Sequence, residues 1–180
     1  MRSQIAYLDK DSLIHIISFL SKKDQYSCIR VNRHWSLAAV KCIYRELLLT
    51  NETFVGCLNA MMKGTMHPYG HYIELLSLHP ESSQGVEIGD LDVFFLHARK
   101  LKSLCLKKAT SLSIVIVMSI CGLTELVELD LNGSRGISIN CLEKLLWNLP
   151  RLIKLDLTRA NCSYEDIKEC EIAQEGIECF

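Results

Sequence analysis

Nine cysteines are the residues of this 180-residue chain with the most chemical potential. They lie at positions 28, 42, 57, 105, 121, 141, 162, 170 and 179, and no two form a Cys-x-x-Cys pair. Structural zinc sites take their ligands from closely spaced pairs, and a disulfide scaffold needs an oxidising compartment. Charged residues near the N-terminus interrupt any signal-peptide core. We therefore expect reduced cysteines that pack as small hydrophobic residues in an intracellular protein, cytoplasmic or nuclear.

Three histidines, His67, His71 and His79, lie close together in the sequence. Their spacing could suit a metal ion, but the prolines beside His67 and His79 disfavour the regular helix that would align them. We expect His71 to lead into a strand instead. The sequence has no glycine-rich phosphate loop, no Gly-x-Ser-x-Gly and no His-Glu-x-x-His. It therefore predicts no enzyme, no cofactor and no metal site.

The charges balance overall but are unevenly spread, with 20 basic against 21 acidic residues. Residues 1–50 hold 8 basic and 4 acidic side chains, whereas residues 161–180 hold 1 basic and 6 acidic. Proteins that bind nucleic-acid phosphates are usually more basic, and a bilayer needs roughly 20 apolar residues, more than the stretch 112–123 provides. We expect no nucleic-acid and no membrane partner. A weaker alternative, a basic head that binds duplex DNA, predicts steeply salt-dependent binding.

One pattern recurs along the chain: apolar, two spacers, apolar, one spacer, apolar. Four clear copies occupy residues 73–78, 101–106, 126–131 and 152–157, and a weaker copy begins at Tyr44. Alternating leucines predict a strand near each of these ranges. The near-constant spacing predicts a repeat architecture.

The segments between the strands carry helix signals. Asn140, followed by Glu143 three residues later, predicts a helix cap, and leucines at helical spacing follow it up to Leu149. In the last unit, Ser163 with Asp166 predicts another capped helix. Each unit is therefore expected to be a strand, a turn and a helix.

These copies resemble the leucine-rich repeat family. The resemblance implies an α/β fold in which stacked units place parallel strands on a concave face and helices on a convex face. The family's next fixed position, an Asn or Cys three residues after the last leucine, is occupied here by Glu81, Ala109, Ser134 and Ala160. We expect the repeats to fill residues 48–180.

In an in-register parallel ladder, the residues between the leucines point to the concave face. One predicted column is Ser77, Cys105, Asp130 and Asp156; its neighbours are Leu75, Ser103, Glu128 and Lys154, and then His79, Lys107, Asn132 and Thr158. We expect substrate contacts at Ser77, Cys105, Glu128, Asp130, Lys154 and Asp156. Their carboxylates would dock a basic or polar segment; the alternative is an ordinary solvated sheet face.

Residues 1–47 do not follow the repeat and predict three short helices. Asp9 is expected to cap the first helix, which would run through Leu20, and Asp24 the second. Asn32 is expected to cap a third helix that ends near Leu47. Three such helices form a marginal core by themselves and would gain from packing against a partner.

This head resembles an F-box. The matching residues run Leu8-Asp9-Lys10-Asp11-Ser12-Leu13, then Ile16-Ile17-Ser18-Phe19-Leu20, and later Val31-Asn32-Arg33-His34-Trp35. The chain departs from the family at Asp9, where proline is usual, and at Ser12 and Gln25, where apolar residues are usual. Asp9 can cap in place of proline. If buried, Ser12 and Gln25 are each expected to weaken a partner interface by about 1–2 kcal/mol through lost apolar area.

An F-box followed by leucine-rich repeats resembles the substrate-recognition subunit of an SCF-type ubiquitin ligase. The resemblance implies that the head docks on a Skp-type linker protein, and through it on a cullin, while the repeats hold an unknown protein substrate. Carried over by position, the linker contacts are Leu8, Leu13, Ile16, Ile17, Leu20, Val31 and Trp35. Several of these could instead form the three-helix core. The alternative function is a repeat module that binds proteins without a ligase, with the head as its N-terminal cap.

Overall fold

The computed structural model describes residues 8–62, 67–79, 91–109, 112–161 and 178–179. The chain divides into two compact units, Met1–Glu46 and Leu47–Phe180. We call them the head and the repeat unit. Across the described ranges, no helix combines the length and the apolar character needed to cross a membrane.

The head consists of the three helices that the sequence predicts. They are α1 (Lys10–Ser18), α2 (Lys22–Cys28) and α3 (Arg33–Arg45), and α3 packs against both of the others. Their common core is small: Leu13, Ile17, Cys28, Ala38, Ala39, Cys42 and Ile43. Because alanine and cysteine line the inner side of α3, the helices can approach closely but bury little apolar area.

The helix caps of the head confirm two predictions and correct one. Asp9 caps α1 by accepting hydrogen bonds from the backbone N–H groups of Asp11 and Ser12, although α1 ends at Ser18 rather than Leu20. Asn32 caps α3 as predicted. The cap of α2 is Ser21, not Asp24.

The reason for this correction is a reciprocal contact at the start of α2. The Ser21 hydroxyl oxygen accepts from the backbone N–H of Asp24, and the same hydroxyl donates to the Asp24 carboxylate at 2.6 Å. Asp24 therefore sits in the first turn, where its negative charge also suits the helix dipole.

The repeat unit alternates strands with helices. Its elements are β1 (Glu46–Thr50), α4 (Asn51–Met62), a 3₁₀ helix (His67–Tyr72), β2 (Leu75–His79), α5 (Leu91–His97), β3 (Ser103–Cys105), α6 (Ile114–Cys121), β4 (Glu128–Asp130), α7 (Ile139–Asn148), β5 (Lys154–Asp156) and β6 (Glu178–Cys179). The six strands form one sheet in chain order, and every pairing from β2 to β6 is parallel. This architecture confirms the predicted α/β fold with a leucine-rich-repeat-like arrangement.

The register of the sheet is the one that the repeat pattern predicts. Leu76, Leu104, Leu129 and Leu155 are successive partners, and each is at most 1% exposed. They belong to a continuous core of 31 buried residues that runs from Phe54 to Leu157. Each unit thus buries its apolar face against its neighbours. The other face of the sheet, which carries the residues between the leucines, is called the open face below.

One helix-cap prediction in the repeats is wrong, and one helix prediction is not tested. The helix α7 begins at Ile139 with Ser138 as its cap, so the prediction of Asn140 as cap is wrong. Asn140 lies inside the first turn because Ser138 holds the extended backbone of the cap position, although its hydroxyl donates to Cys141 Sγ and makes no capping bond. The helix predicted from Ser163 lies outside the described residues. The short strand β6 was not predicted.

Ser134 occupies the position where the family pattern has Asn or Cys, and it links two repeats. Its hydroxyl is fully buried, accepts from the backbone N–H of Ala109 at 3.1 Å and donates to the carbonyl oxygen of Leu106 at 2.8 Å. The side chain therefore satisfies two backbone groups of the preceding repeat that would otherwise be buried without partners.

The turns after the strands share a left-handed residue at the same repeat position. Lys108, Gly133 and Arg159 follow the last leucine of their unit by two residues, with φ values of 56°, 68° and 58°. Only glycine adopts this conformation without steric cost. Lys108 and Arg159 are therefore strained positions in an otherwise regular array.

The six cysteines whose side chains are described are free thiols. Cys28, Cys42, Cys121 and Cys141 are buried, as the sequence predicts for small hydrophobic residues, and Cys57 and Cys105 are half-buried. Burial raises the pKa of Cys57 to about 11, so its thiol stays protonated at neutral pH.

Candidate functional site

Four of the residues expected to contact a Skp-type protein lie on the surface of the head. The exposed fraction is 38% for Leu8, 43% for Ile16, 36% for Leu20 and 58% for Val31. The exposed part of these aliphatic side chains stays in water and adds no stability to the head itself. They are available for a partner.

The other three expected contacts face inward. Leu13 and Ile17 are fully buried in the core of the head, and Trp35 is half-buried against the same core. Leu13 and Ile17 therefore support the surface from beneath and offer no area to a partner. The adjacent residues Ile16 and Ile17 thus differ: Ile16 is partly exposed, and Ile17 is fully buried.

The sequence prediction missed further exposed apolar residues of the head. Phe19 is 76% exposed, Tyr26 57% and Leu37 45%. Phe19 was missed because the predicted helix ran through Leu20, which made Phe19 an ordinary helical residue. In the structure α1 ends at Ser18, and Phe19 is its C-cap. We call Leu8, Ile16, Phe19, Leu20, Tyr26, Val31 and Leu37 the head apolar set.

Leu8 is held in place although it precedes the first helix. The Nε2 atom of His34, at the start of α3, donates to the carbonyl oxygen of Leu8 at 3.0 Å. The next residue, Asp9, is fixed by its capping bonds, and the hydrogen bonds that Ser12 donates to it lower the pKa of the Asp9 carboxyl. Leu8 is therefore tied to α3, and Asp9 to α1.

Two of the three departures from the F-box pattern, Ser12 and Gln25, make hydrogen bonds within the head; their expected effect on a partner interface stays a prediction. The Ser12 hydroxyl donates to the Asp9 carboxylate at 2.6 Å and so strengthens the cap of α1. The Gln25 side chain, 5% exposed, donates through Nε2 to the carbonyl oxygens of Ile17 and Leu20 at the other end of that helix. Within the described residues, Gln25 Oε1 is buried without a hydrogen-bond partner.

The second candidate surface is the open face of the sheet in the repeat unit. A depression of about 280 Å³ lies over strands β3 to β5. Five of the six predicted substrate contacts line it, namely Cys105, Glu128, Asp130, Lys154 and Asp156. The sixth, Ser77, stands in the same column through its pairing with Cys105 but is only 7% exposed. The structure thus brings the predicted columns together.

Ion pairs between neighbouring repeats neutralise part of this face. Lys154 Nζ lies 2.9 Å from Glu128 Oε1, and Lys107 Nζ lies 3.1 Å from Asp130 Oδ2. The hydrogen bond from Lys154 holds the pKa of the Glu128 carboxyl below its usual value, and the bond to Asp130 raises the pKa of Lys107. Because these groups are largely solvated, each pair contributes little stability.

Asp156 differs from the other two carboxylates. Burial tends to raise its pKa, but hydrogen bonds from the side chain and backbone of Thr158 and from Asn132 outweigh this, and the pKa of Asp156 is lowered. Among the described residues, no basic side chain forms a salt bridge with it. Asp156 is therefore an ionised carboxylate at the open face that can accept a cation from a bound molecule.

Cys105 is the thiol on this face. Its Sγ lies 3.6 Å from Asp130 Oδ2, and burial, together with the neighbouring Asp130 charge, raises the pKa of the thiol. A thiol of raised pKa is a poor nucleophile. Among the described residues, no group of three or more His, Cys, Asp or Glu could hold a metal ion. The face presents hydrogen-bonding and charged groups at repeat spacing, which suits the binding of a polypeptide segment.

Comparison with known proteins adds no closer assignment: no protein-family model matches the chain, and no curated protein matches it. The molecular description is therefore three packed N-terminal helices followed by parallel strand–helix repeats.

Proposed function

We propose that the chain is a substrate-recognition subunit of an SCF-type ubiquitin ligase. In this proposal the head docks on a Skp-type linker protein, which binds a cullin, and the open face of the repeat unit holds a protein substrate. The chain itself supplies proximity, because holding a target next to a ubiquitin-charged enzyme raises the local concentration of its lysines.

The observation that carries the proposal is the distribution of large apolar residues in the head. Among the residues of the head that the structure describes, seven are exposed, the head apolar set, whereas four are buried: Leu13, Ile17, Val40 and Ile43. Exposed apolar side chains, where they lie together, mark interaction surfaces. Ile16, Phe19 and Leu20 lie at the C-terminal end of α1, where the backbone N–H groups of Phe19 and Leu20 donate to the carbonyl oxygens of Ile16 and Ile17. Leu8, Ile16, Leu20 and Val31 also match F-box positions that face the linker in that family.

The repeat unit supports the substrate half of the proposal. Asp156 can accept a cation, and Asp130 and Glu128 add two carboxylates that are partly neutralised by lysines of the same face. A substrate segment with lysine or arginine would compete with Lys107 and Lys154 for these partners. Electrostatic contacts of this kind contribute more to specificity and association rate than to affinity.

The direct test is binding of the full chain to a purified Skp-type protein, measured by isothermal titration calorimetry. We expect a one-to-one complex. Leu8→Ala combined with Leu20→Ala should weaken it by about tenfold or more, because truncating buried interface anchors costs more than about 1 kcal/mol each. Trp147→Ala, which removes an even more exposed apolar residue from the repeat unit, is the control and should bind normally.

The proposal is wrong if the complex does not form, or if the double variant binds as well as the unmodified chain. The remaining function would then be a repeat module that binds proteins without a ligase. Its head would serve only to cover the first repeat.

A further inference from the structure

Three residues of the head apolar set lie where helix α1 ends. Phe19 is 76%, Ile16 43% and Leu20 36% exposed, and all three lie within two residues of Ser18, the last residue of the helix. Helix ends fray because their last carbonyl groups have no partner within the helix. A contact surface at such an end therefore needs bonds that fix the end in one arrangement.

Some of these bonds lie within α1 and its cap. The Ser18 hydroxyl donates to the carbonyl oxygen of His15 at 2.7 Å, and the backbone N–H of Phe19 donates to the carbonyl oxygen of Ile16. The His15 ring meets the Phe19 ring edge to face, with the ring centroids 4.9 Å apart. These contacts shape the last turn, but they do not tie it to another helix.

Gln25 on α2 ties this end to a second helix. Its side-chain Nε2 donates to the carbonyl oxygens of Ile17 and Leu20, each at 3.2 Å. One amide group therefore holds a carbonyl group on either side of Phe19. Gln25 is only 5% exposed, so a docked protein would not touch it. It acts on the surface from beneath.

The same side chain carries a cost in stability. Within the described residues, Gln25 Oε1 is buried and has no hydrogen-bond partner. A buried acceptor without a partner destabilises a fold, and an apolar residue of similar length would remove this penalty. The cost weighs heavily in a unit whose core has seven residues. The amide group therefore adds little net stability, and its distinct effect is on the carbonyl groups that Nε2 holds.

We propose that Gln25 is a positioning residue for the docking of the Skp-type linker. By holding the carbonyl groups of Ile17 and Leu20, it fixes the end of α1, so that Phe19 and Leu20 are in their binding arrangement before the linker arrives. This inference rests on the proposed function. Contact residues that are ordered in advance bind more tightly, because less conformational entropy is lost on binding. Gln25 thus raises the affinity for a linker that it does not touch.

Gln25→Met in the full chain tests this role, because methionine keeps the length of the side chain and lacks the amide. Its two effects on stability oppose each other: two carbonyl groups lose a donor, and an unpaired acceptor is removed. Titration calorimetry should show a dissociation constant for the linker that is raised about tenfold. Without linker, amide exchange followed by NMR should be at least about tenfold faster at Phe19 and Leu20, and at most about threefold faster at Ala39 and Cys42 in α3.

Ser27→Ala is the matched control. The Ser27 hydroxyl donates to the carbonyl oxygen of Lys23 within α2, so its loss should change neither the affinity nor the exchange at the end of α1.

Two results overturn the positioning role while the proposed function stands. One is a Gln25→Met variant that binds the linker as tightly as the unmodified chain. The other is exchange in α3 that accelerates as much as exchange at Phe19 and Leu20, because the loss of affinity would then follow from general destabilisation of the head. If the unmodified chain itself does not bind the linker, the proposed function is wrong and the positioning role falls with it.

Discussion

The head and the repeat unit use apolar residues in opposite ways. In the repeat unit, 31 described residues form one core that continues from α4 to β5. The core of the head has seven residues, and three of them, Leu13, Ile17 and Ile43, are large. The head instead leaves seven large apolar side chains exposed.

The repeat unit uses its apolar residues for stability, whereas the head leaves many of its apolar residues exposed. Each repeat covers its neighbour, so the repeat unit supplies its own stability. A three-helix unit of 46 residues buries a smaller share of its surface and is marginally stable by itself. Its exposed residues make sense as the area that a partner covers on binding. The following changes test this contrast, in order of decreasing expected effect.

The sharpest contrast lies between two neighbouring isoleucines of α1. Ile17→Ala should lower the free energy of unfolding of the head by about 2–4 kcal/mol, because it opens a cavity in a small core. Ile16→Ala should lower it by less than about 0.5 kcal/mol and weaken the binding of a Skp-type protein. Urea unfolding followed by Trp35 fluorescence, with Trp147 replaced by phenylalanine, measures both. Equal losses of stability would contradict the inward and outward assignment.

The repeat unit depends on a polar link that the head does not have. Ser134→Ala should lower the free energy of unfolding of the repeat unit by about 1–3 kcal/mol, because two buried backbone groups of the preceding repeat lose their partner. Ser119→Ala is the control, since its hydroxyl donates to Val115 within α6 and joins no repeats. Circular dichroism during urea titration gives both values. If Ser134→Ala is as stable as Ser119→Ala, the hydrogen bonds of Ser134 do not stabilise the repeat unit.

Backbone strain is also confined to one region: all residues with positive φ in the described chain lie in the repeat unit. Lys108→Gly should raise its free energy of unfolding by about 0.5–1 kcal/mol, and Gly133→Ala should lower it by about 1 kcal/mol. Gly56→Ala, in the open surface of α4, should instead be stabilising. Thermal unfolding reports all three. A loss of stability in Lys108→Gly would show that its side chain, not its backbone, matters there.

The smallest effect concerns alkaline pH. The pKa of Cys57 is about 11 in the folded protein against an ordinary value of 9.0, so the folded state disfavours the thiolate. Its stabilising contribution is present below pH 9 and lost as the pH rises from 9 towards 11. Because the residue is partly exposed, we expect no more than about 1 kcal/mol. Comparing urea midpoints of Cys57→Ala and the unmodified chain from pH 8 to about 11 isolates this term. If the urea midpoints of the two proteins change in parallel with pH, the prediction is wrong.

The strands and their register could be predicted from the sequence because the repeat pattern fixes both. Leucines at equal spacing can pair only in one register if all of them are to be buried. The prediction therefore placed Leu76, Leu104, Leu129 and Leu155 side by side, and with them the columns of the open face. The pattern contained no comparable signal for β6, which has two residues.

Local polar contacts were harder to predict because several residues fit the same role. Ser21 and Asp24 are both residue types that favour the N-cap. Only the structure shows that Ser21 caps the helix and that Asp24 accepts a hydrogen bond from the Ser21 hydroxyl. Gln25 donates to carbonyl oxygens at the end of the preceding helix, and Ser134 donates to a carbonyl oxygen of the preceding repeat. Such contacts leave no periodic signal in the sequence, because they depend on how separate elements pack against one another.

The candidate surface on the head was predictable only in part. A helix face can be read from spacing, but the side that a small core occupies depends on how three helices pack. Ile16 and Ile17 are equally apolar, yet one is exposed and the other buried. The exposure of Phe19 was not predicted, because it depends on whether α1 ends before or after this residue.

Hydrogen–deuterium exchange of the full chain, with and without a purified Skp-type protein, tests the central claim most directly. The account predicts that the linker slows exchange throughout residues 8–45, because binding stabilises the marginal head as a whole. Exchange in the repeat unit, including strands β2 to β5, should stay unchanged. Protection confined to the repeat unit, or no protection at saturating linker, would contradict the claim that the head is the docking surface.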